Sequence, residues 1–153
     1  MPNGDYTITY FSQKPETAGR VEKVETYSAA GKLLREEIKT WKVRAIAGSP
    51  GYAVVLAAEE TKFYGTNSRR GKTTYEYDSY GNVIREERLG EVNDAGTNLS
   101  SADDLRLMRA YINRMDSTYL IGLLKRETAA DGYGRVLTDK ILWYDGLPVI
   151  AIL

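Results

Sequence analysis

Three segments of this 153-residue chain repeat one pattern: SAAGKLLREEI from Ser28 to Ile38, DSYGNVIREER from Asp78 to Arg88, and DGYGRVLTDKI from Asp131 to Ile141. Their glycines, Gly31, Gly81 and Gly134, lie 50 and 53 residues apart. In each copy a polar residue stands three positions before the glycine, a Lys, Asn or Arg follows it, and two branched aliphatics come next. Repetition at a fixed period constrains architecture more than any other sequence feature. The unit it predicts is a β-hairpin. A three-residue hairpin loop is a type I turn closed by one left-handed residue, with Asp, Asn or Ser at its first position and Gly at its fourth. Ser28 with Gly31, Asp78 with Gly81, and Asp131 with Gly134 all satisfy that rule. Turns are therefore expected at 28–31, 78–81 and 131–134, each followed by a strand. The shared Arg-Glu-Glu in the first two copies is no turn requirement, so a common ancestral module is the better account of the likeness.

The stretch TYEYDSYGN from Thr74 to Asn82 resembles the tyrosine-aspartate repeat of Rhs proteins, with Tyr77, Asp78, Gly81 and Asn82 at its core. The surrounding order is similar to the B component of bacterial insecticidal toxin complexes and related secreted virulence proteins. Besides the repeat, the resemblance rests on Arg20 to Glu37, Ala57 to Gly65, Asp103 to Asn113 and Tyr119 to Gly146, and covers most of the chain from about Arg20 onward. The chain departs from the pattern at Leu124, where relatives commonly carry proline, and at Tyr27-Ser28, which stands for Tyr-Asp. Neither removes a turn glycine. The resemblance implies a strip of hairpins that spirals, with others, into a hollow secreted shell around a C-terminal toxin, the shell itself not being the toxic enzyme. The expected partners are the remainder of that shell and its cargo.

Composition is compatible with one domain spanning 1–153: 42% of residues are hydrophobic, enough to exclude wholesale disorder and to furnish a core. Lys plus Arg equals Asp plus Glu at 21 each, which leaves no general attraction to nucleic acid or anionic membrane. Cysteine is absent, so there is no disulfide framework and no thiolate chemistry. The first residues lack the basic start and apolar run of a cleavable signal, and no stretch reaches the length of a membrane span.

Elsewhere the chain reads as strands. Tyr6, Ile8 and Tyr10 alternate with Thr7 and Thr9; Ile38 to Ile46 extends the first repeat strand; Gly48-Ser49-Pro50-Gly51 forms a turn; Tyr52 to Tyr64 supplies one or two strands; and Gly65 to Gly71 reads as a loop. Tyrosine accounts for 12 of the 16 aromatic residues, a composition suited to half-buried strand surfaces where phenols reach water or backbone. The polar run Glu91 to Ser101 is a loop. Residues 101–114 are read as strand, with a short helix as the alternative: Ser101 and Asp104 resemble a capping box, and Leu105, Met108 and Ile112 fall at helical spacing.

Candidate chemistry is sparse. With no histidine or cysteine, Ser-His-Asp and Cys-His nucleophile systems and His/Cys zinc sites are excluded. The acidic pairs Glu36-Glu37, Glu59-Glu60, Glu86-Glu87 and Asp103-Asp104 point to opposite faces when on strands, so they do not converge on one bond. GTNSRRGKT, Gly65 to Thr73, mimics a phosphate-binding loop but has five residues between its glycines where four are needed, and a strand follows it. Arg69, Arg70 and Lys72 read as solvated charges, and Asn93 to Asp104 lacks the spacing of a calcium loop. No catalytic, cofactor or metal residues are therefore assigned. The repeat-turn positions Ser28, Gly31, Tyr77, Asp78, Gly81, Asn82, Asp131 and Gly134 are structural. The expected protein is an all-β strip of consecutive antiparallel hairpins, a structural and non-catalytic portion of a toxin shell. A free-standing β module for adhesion or glycan binding is the alternative, with Trp41, Trp143 and the tyrosines as a sugar platform. The apolar run Pro148 to Leu153 reads as a cut through a continuing sheet, with self-association through the sheet edges as its consequence.

Overall fold

The computed structural model describes residues 4–46, 48, 50–114 and 120–144, and the backbone of 147–148. Nine strands form one antiparallel sheet in which chain order equals spatial order: β1 (Tyr6–Phe11), β2 (Val21–Tyr27), β3 (Leu33–Ala45), β4 (Tyr52–Phe63), β5 (Arg69–Tyr77), β6 (Val83–Leu89), β7 (Leu105–Arg114), β8 (Leu120–Asp131) and β9 (Val136–Ile141). A two-stranded ribbon follows, β10 (Trp143–Tyr144) and β11 (Leu147–Pro148). The one helical element among the described residues is a 3-10 turn at Pro15–Thr17. Residues 105–114 are thus strand, and the helical alternative for 101–114 is set aside. That segment gains a hydrogen-bonded neighbour on each side, β6 and β8, which a helix there would forfeit.

Each repeat turn closes in the same way. The amide of Gly31 donates to Ser28 O (2.9 Å), that of Gly81 to Asp78 O (3.2 Å) and that of Gly134 to Asp131 O (2.9 Å). Ser28, Asp78 and Asp131 donate in turn to the carbonyls of Lys32, Asn82 and Arg135. The three glycines have φ of +78°, +95° and +85°, where a Cβ collides with its own backbone. A Cβ on Gly81 would meet nothing within 4 Å, so any penalty for a side chain there is conformational. Gly81→Val is expected to destabilise by roughly 1–3 kcal/mol, and Ser79→Ala by about a few tenths; equal urea midpoints for the two variants would refute this account of the turn.

Gly81 is three strands on from Gly31, and Gly134 three on from Gly81. Three is odd in an antiparallel sheet, so successive copies run in opposite directions and their turns alternate between the two ends. The faces invert as well. Glu36 lies opposite Lys62, Lys62 opposite Arg70, and Thr74, on the face of Arg70, opposite Glu87. The face that carries Glu36 therefore carries Glu87, and Glu86, the counterpart of Glu36, faces away. The third copy restores the first orientation, with Asp139 on the Glu36 face.

A single layer has no interior. The accessible surface is 10104 Å², against roughly 7800 Å² for a compact monomer of this mass. Val92 is the one fully buried hydrophobic residue among those described. The core that composition would permit is replaced by cross-strand cover, in which long charged and aromatic side chains lie over their neighbours. One expected loop is shortened. Gly71 sits inside β5 opposite Thr61, which confines the connection between β4 and β5 to residues 64–68. In the connection between β3 and β4, Gly48 holds a positive φ of 71°; Ser49 lies outside the described residues.

Candidate functional site: repeat turns and charge ladders

The second copy holds the most developed turn. Asp78 Oδ1 accepts from the amides of Tyr80 (2.9 Å) and Asn82 (3.0 Å), while Oδ2 accepts from the side-chain amides of Asn82 (2.8 Å) and Asn113 (2.9 Å). Asn113 Oδ1 accepts from Asn82 Nδ2 (3.1 Å) and from the amide of Gly122 (2.9 Å). This links the turn to β7 and β8 beyond Met108, where the β6–β7 ladder ends. Burial pushes the Asp78 carboxyl up, but the bonds from Asn82, Asn113 and Tyr80 outweigh it and hold the group below the usual carboxylate range. Tyr77 donates its hydroxyl to Leu56 O (2.7 Å), tying the hairpin to β4. Asp131 is simpler: its bonds go to the amides of Tyr133 and Arg135 and to the Arg135 guanidinium, all within its own turn. Ser28 accepts from the Lys32 amide (3.1 Å).

A fourth turn of this kind went unread in the sequence. The Asn93 amide donates to Thr97 O, the Gly96 amide to Asn93 O, and Asn93 Oδ1 accepts from the amides of Ala95 and Thr97. Gly96 has φ +75°. The spacing of Asn93 and Gly96 matches that of Asp78 and Gly81, so the signal was present, without the aliphatic pair that follows the other three.

Glu36 and Glu37, and likewise Glu86 and Glu87, separate to opposite faces and each finds a cation there, whereas Asp103 and Asp104 precede β7 and both lie against Gly90. On one face Glu36 meets Lys62 (3.5 Å) and Lys23 (4.0 Å), Glu60 pairs with Arg70 and Lys72, Glu87 takes Arg85 (2.6 Å) and Arg106 (2.7 Å), and Asp139 takes Arg126 (2.6 Å). On the other, Arg35 meets Glu37 (2.8 Å), and a ladder runs from Arg88 through Glu86, Arg109 and Glu127 to Lys140. Asp104 accepts from the Gly90 amide. Lys72, in the segment that mimics a phosphate loop, lies 3.3 Å from Glu60 on a strand. Trp41 donates Nε1 to Val21 O (2.8 Å) beneath the Arg20 guanidinium, whereas Trp143 is 58% exposed. Among the described residues no helix is long and apolar enough to cross a membrane.

Glu25 is the most strongly held carboxylate, at 7% exposure. Lys23 donates to Oε1 (2.7 Å), and the Tyr10 and Tyr27 hydroxyls to Oε2 (2.7 and 2.8 Å). These bonds, that from Lys23 first, bring the carboxyl down to about 2, and the bond to Glu25 pushes the Tyr27 phenol up to about 12. A carboxyl lowered in the fold stabilises fully above its unfolded pKa, here 4.5, and that contribution fades as pH falls from there through about 2. A phenol raised in the fold stabilises fully below 10.0 and loses its contribution as pH rises through about 12. Urea midpoints of Glu25→Gln are therefore expected to vary less than wild type across the acid window, and those of Tyr27→Phe less across the alkaline one. Parallel profiles for variant and parent in both windows would disprove the assignment.

No protein-family model matches the sequence, and no curated protein matches it significantly. One solved structure with a similar chain is that of the Photorhabdus luminescens Tc holotoxin pore carrying a mutation in TccC3. The likeness covers 74% of this chain with a TM-score of 0.58 at 10% identity, and this chain spans 7% of the length of that one. At that identity the likeness is one of fold: a strip of antiparallel strands like this one occurs within a much longer chain of a toxin complex.

Proposed function

We propose that the chain is a structural, non-catalytic strip of an Rhs-type toxin shell, acting outside the cell that makes it by helping to enclose a C-terminal toxin. The observation that carries the reading is the sheet itself: nine strands in chain order, one layer thick, with repeat turns at alternating ends and charge ladders on both faces. Such a strip buries no core and draws cohesion from its neighbours along the sheet, as repeat architectures do. Its fold likeness to a small part of a Tc holotoxin chain supports the same reading. The partners are then the adjoining hairpins of the shell and the cargo within. The test is protease challenge of the product of the native reading frame. A reading frame many times longer than this chain, with a C-terminal segment protected until the shell is opened, is the expected result. A short frame whose product binds sugars saturably on a glycan array would instead establish an adhesion module.

A further inference from the structure

The sheet divides at one end. β4 is paired with β3 from Tyr52 to Phe63 but with β5 only from Ala58 to Phe63, and β5 continues through Tyr75 to Tyr77 paired with β6 alone. Beyond Ala58 and Thr74 the β3–β4 and β5–β6 hairpins therefore part, leaving a cleft of about 350 Å³ lined by Lys42, Arg44, Val55, Ala57, Tyr75 and Tyr77. The Arg44 guanidinium lies over the Tyr77 ring, 6.0 Å from its centroid. Its Nη1 is shielded from solvent and without a hydrogen-bond partner. Neither Lys42 nor Arg44 joins an ion pair among the described residues, in contrast to the cations of the ladders. Glu76 also borders the cleft, but its carboxylate is engaged by Arg85 at 3.2 Å.

We infer that this cleft binds a small organic phosphate monoester, its phosphate on Arg44 and Lys42 and its apolar body against Tyr75, Val55 and Ala57. A shielded guanidinium nitrogen without an acceptor is unfavourable until one arrives, and the guanidinium fork suits two oxygens of one anion. Two unmatched cations call for about two negative charges, which a phosphate monoester carries near neutral pH and a carboxylate does not. The volume lies within the range of about 300–1000 Å³ typical of small-molecule sites. The Tyr77 hydroxyl is committed to Leu56 O, so that residue offers its ring.

The inference does not depend on the shell reading and is tested on the whole chain with phenyl phosphate as probe, by titration calorimetry and amide chemical shifts. Saturable binding is expected, with shifts concentrated at residues 42–44, 55–57 and 75–77. Arg44→Ala should weaken it by about tenfold or more, equivalent to about 1.4 kcal/mol, and Lys42→Ala by less. Arg44→Lys, which keeps the charge and the fold but lacks the fork, should fall between parent and Arg44→Ala. Inorganic phosphate bound as tightly as phenyl phosphate would overturn the apolar subsite, and benzoate bound as tightly would overturn the assignment of two charges. Absence of saturation at millimolar probe, or shifts centred on the ladder cations, would overturn the site.

Discussion

Asp78→Ala is expected to destabilise the protein by about 2–4 kcal/mol, and Asp131→Ala, at the equivalent turn position, by about 1 kcal/mol. Asp78 receives four hydrogen bonds, three from its own hairpin and one from the Asn113 side-chain amide, which reaches it from β7. Hydrogen bonds to a charged acceptor contribute about 1.5–3 kcal/mol each when well shielded, and water entering the vacated space recovers part of that. Asn113 loses its bond to Asp78 and is left with that from Asn82 alone, which weakens the connection from the turn through β7 to the Gly122 amide. Asp131 makes its bonds inside one exposed hairpin, with Arg135 79% exposed, so water replaces them readily. Asp78→Asn is expected to lose nearly as much as the alanine variant, because an amide nitrogen at Oδ2 would confront two amide donors. The measurement is the urea midpoint at neutral pH, with a double-mutant cycle between positions 78 and 113 to isolate the cross-strand part. Indistinguishable losses for Asp78→Ala and Asp131→Ala, or additive effects in that cycle, would show that the network does not act as a unit.

The turn itself was legible because its requirements are local. A left-handed residue at the fourth position demands glycine and the first position rewards a short polar acceptor, so Ser28 with Gly31 and Asp78 with Gly81 announce themselves within four residues. The same rule applied to Asn93 and Gly96 would have found the fourth turn, which polar composition alone caused to be read as plain loop. The split of Glu36 from Glu37 and Glu86 from Glu87 to opposite faces was equally legible, since it follows from strand alternation. Their partners were not, because Arg109 reaches Glu86 across a connection whose length fixes no register. Spacings of 50 and 53 residues hold three strands each, and length alone does not fix whether that number is odd, which is what inverts alternate copies. Leu105, Met108 and Ile112 mimicked a helix for a related reason. A sheet open on both faces imposes no strict alternation of apolar and polar residues, so Leu107 and Met108 stand on opposite faces without penalty. The Arg44 cleft was invisible because it arises where two hairpins part while both continue, β4 toward Tyr52 and β5 toward Tyr77, and only the registers disclose where their pairing stops.

Self-association of the isolated chain should run through β1 and be suppressed by one charge placed in that strand. The sequence pointed to Val149–Leu153 as the adhesive segment, which lies outside the described residues. β1, by contrast, is an outer strand of the described sheet, and all six of its residues, YTITYF, are exposed. It has neither charge nor proline, and its pairing with β2 is regular until the shift between Tyr10 and Phe11. Those are the features that protected edges avoid, in a six-residue segment rich in strand-forming side chains. The opposite outer strand, β9, differs: Asp139 and Lys140 interrupt it, each ion-paired to β8. Antiparallel pairing of two β1 strands about a two-fold axis normal to the sheet would set Ile8 against Ile8 and Tyr6 against Tyr10, keeping like faces together. A formal net charge of zero supplies no long-range repulsion to oppose it. Sedimentation of the wild type is expected to show concentration-dependent dimers. Ile8→Lys would set two lysines directly opposite each other, their Cβ atoms about 5 Å apart, and should shift the association midpoint upward by about tenfold or more, a change of about 1.4 kcal/mol, while Ile141→Lys on β9 should leave it unchanged. A strictly monomeric wild type at high micromolar concentration, or equal effects of the two lysines, would remove β1 as the adhesive edge.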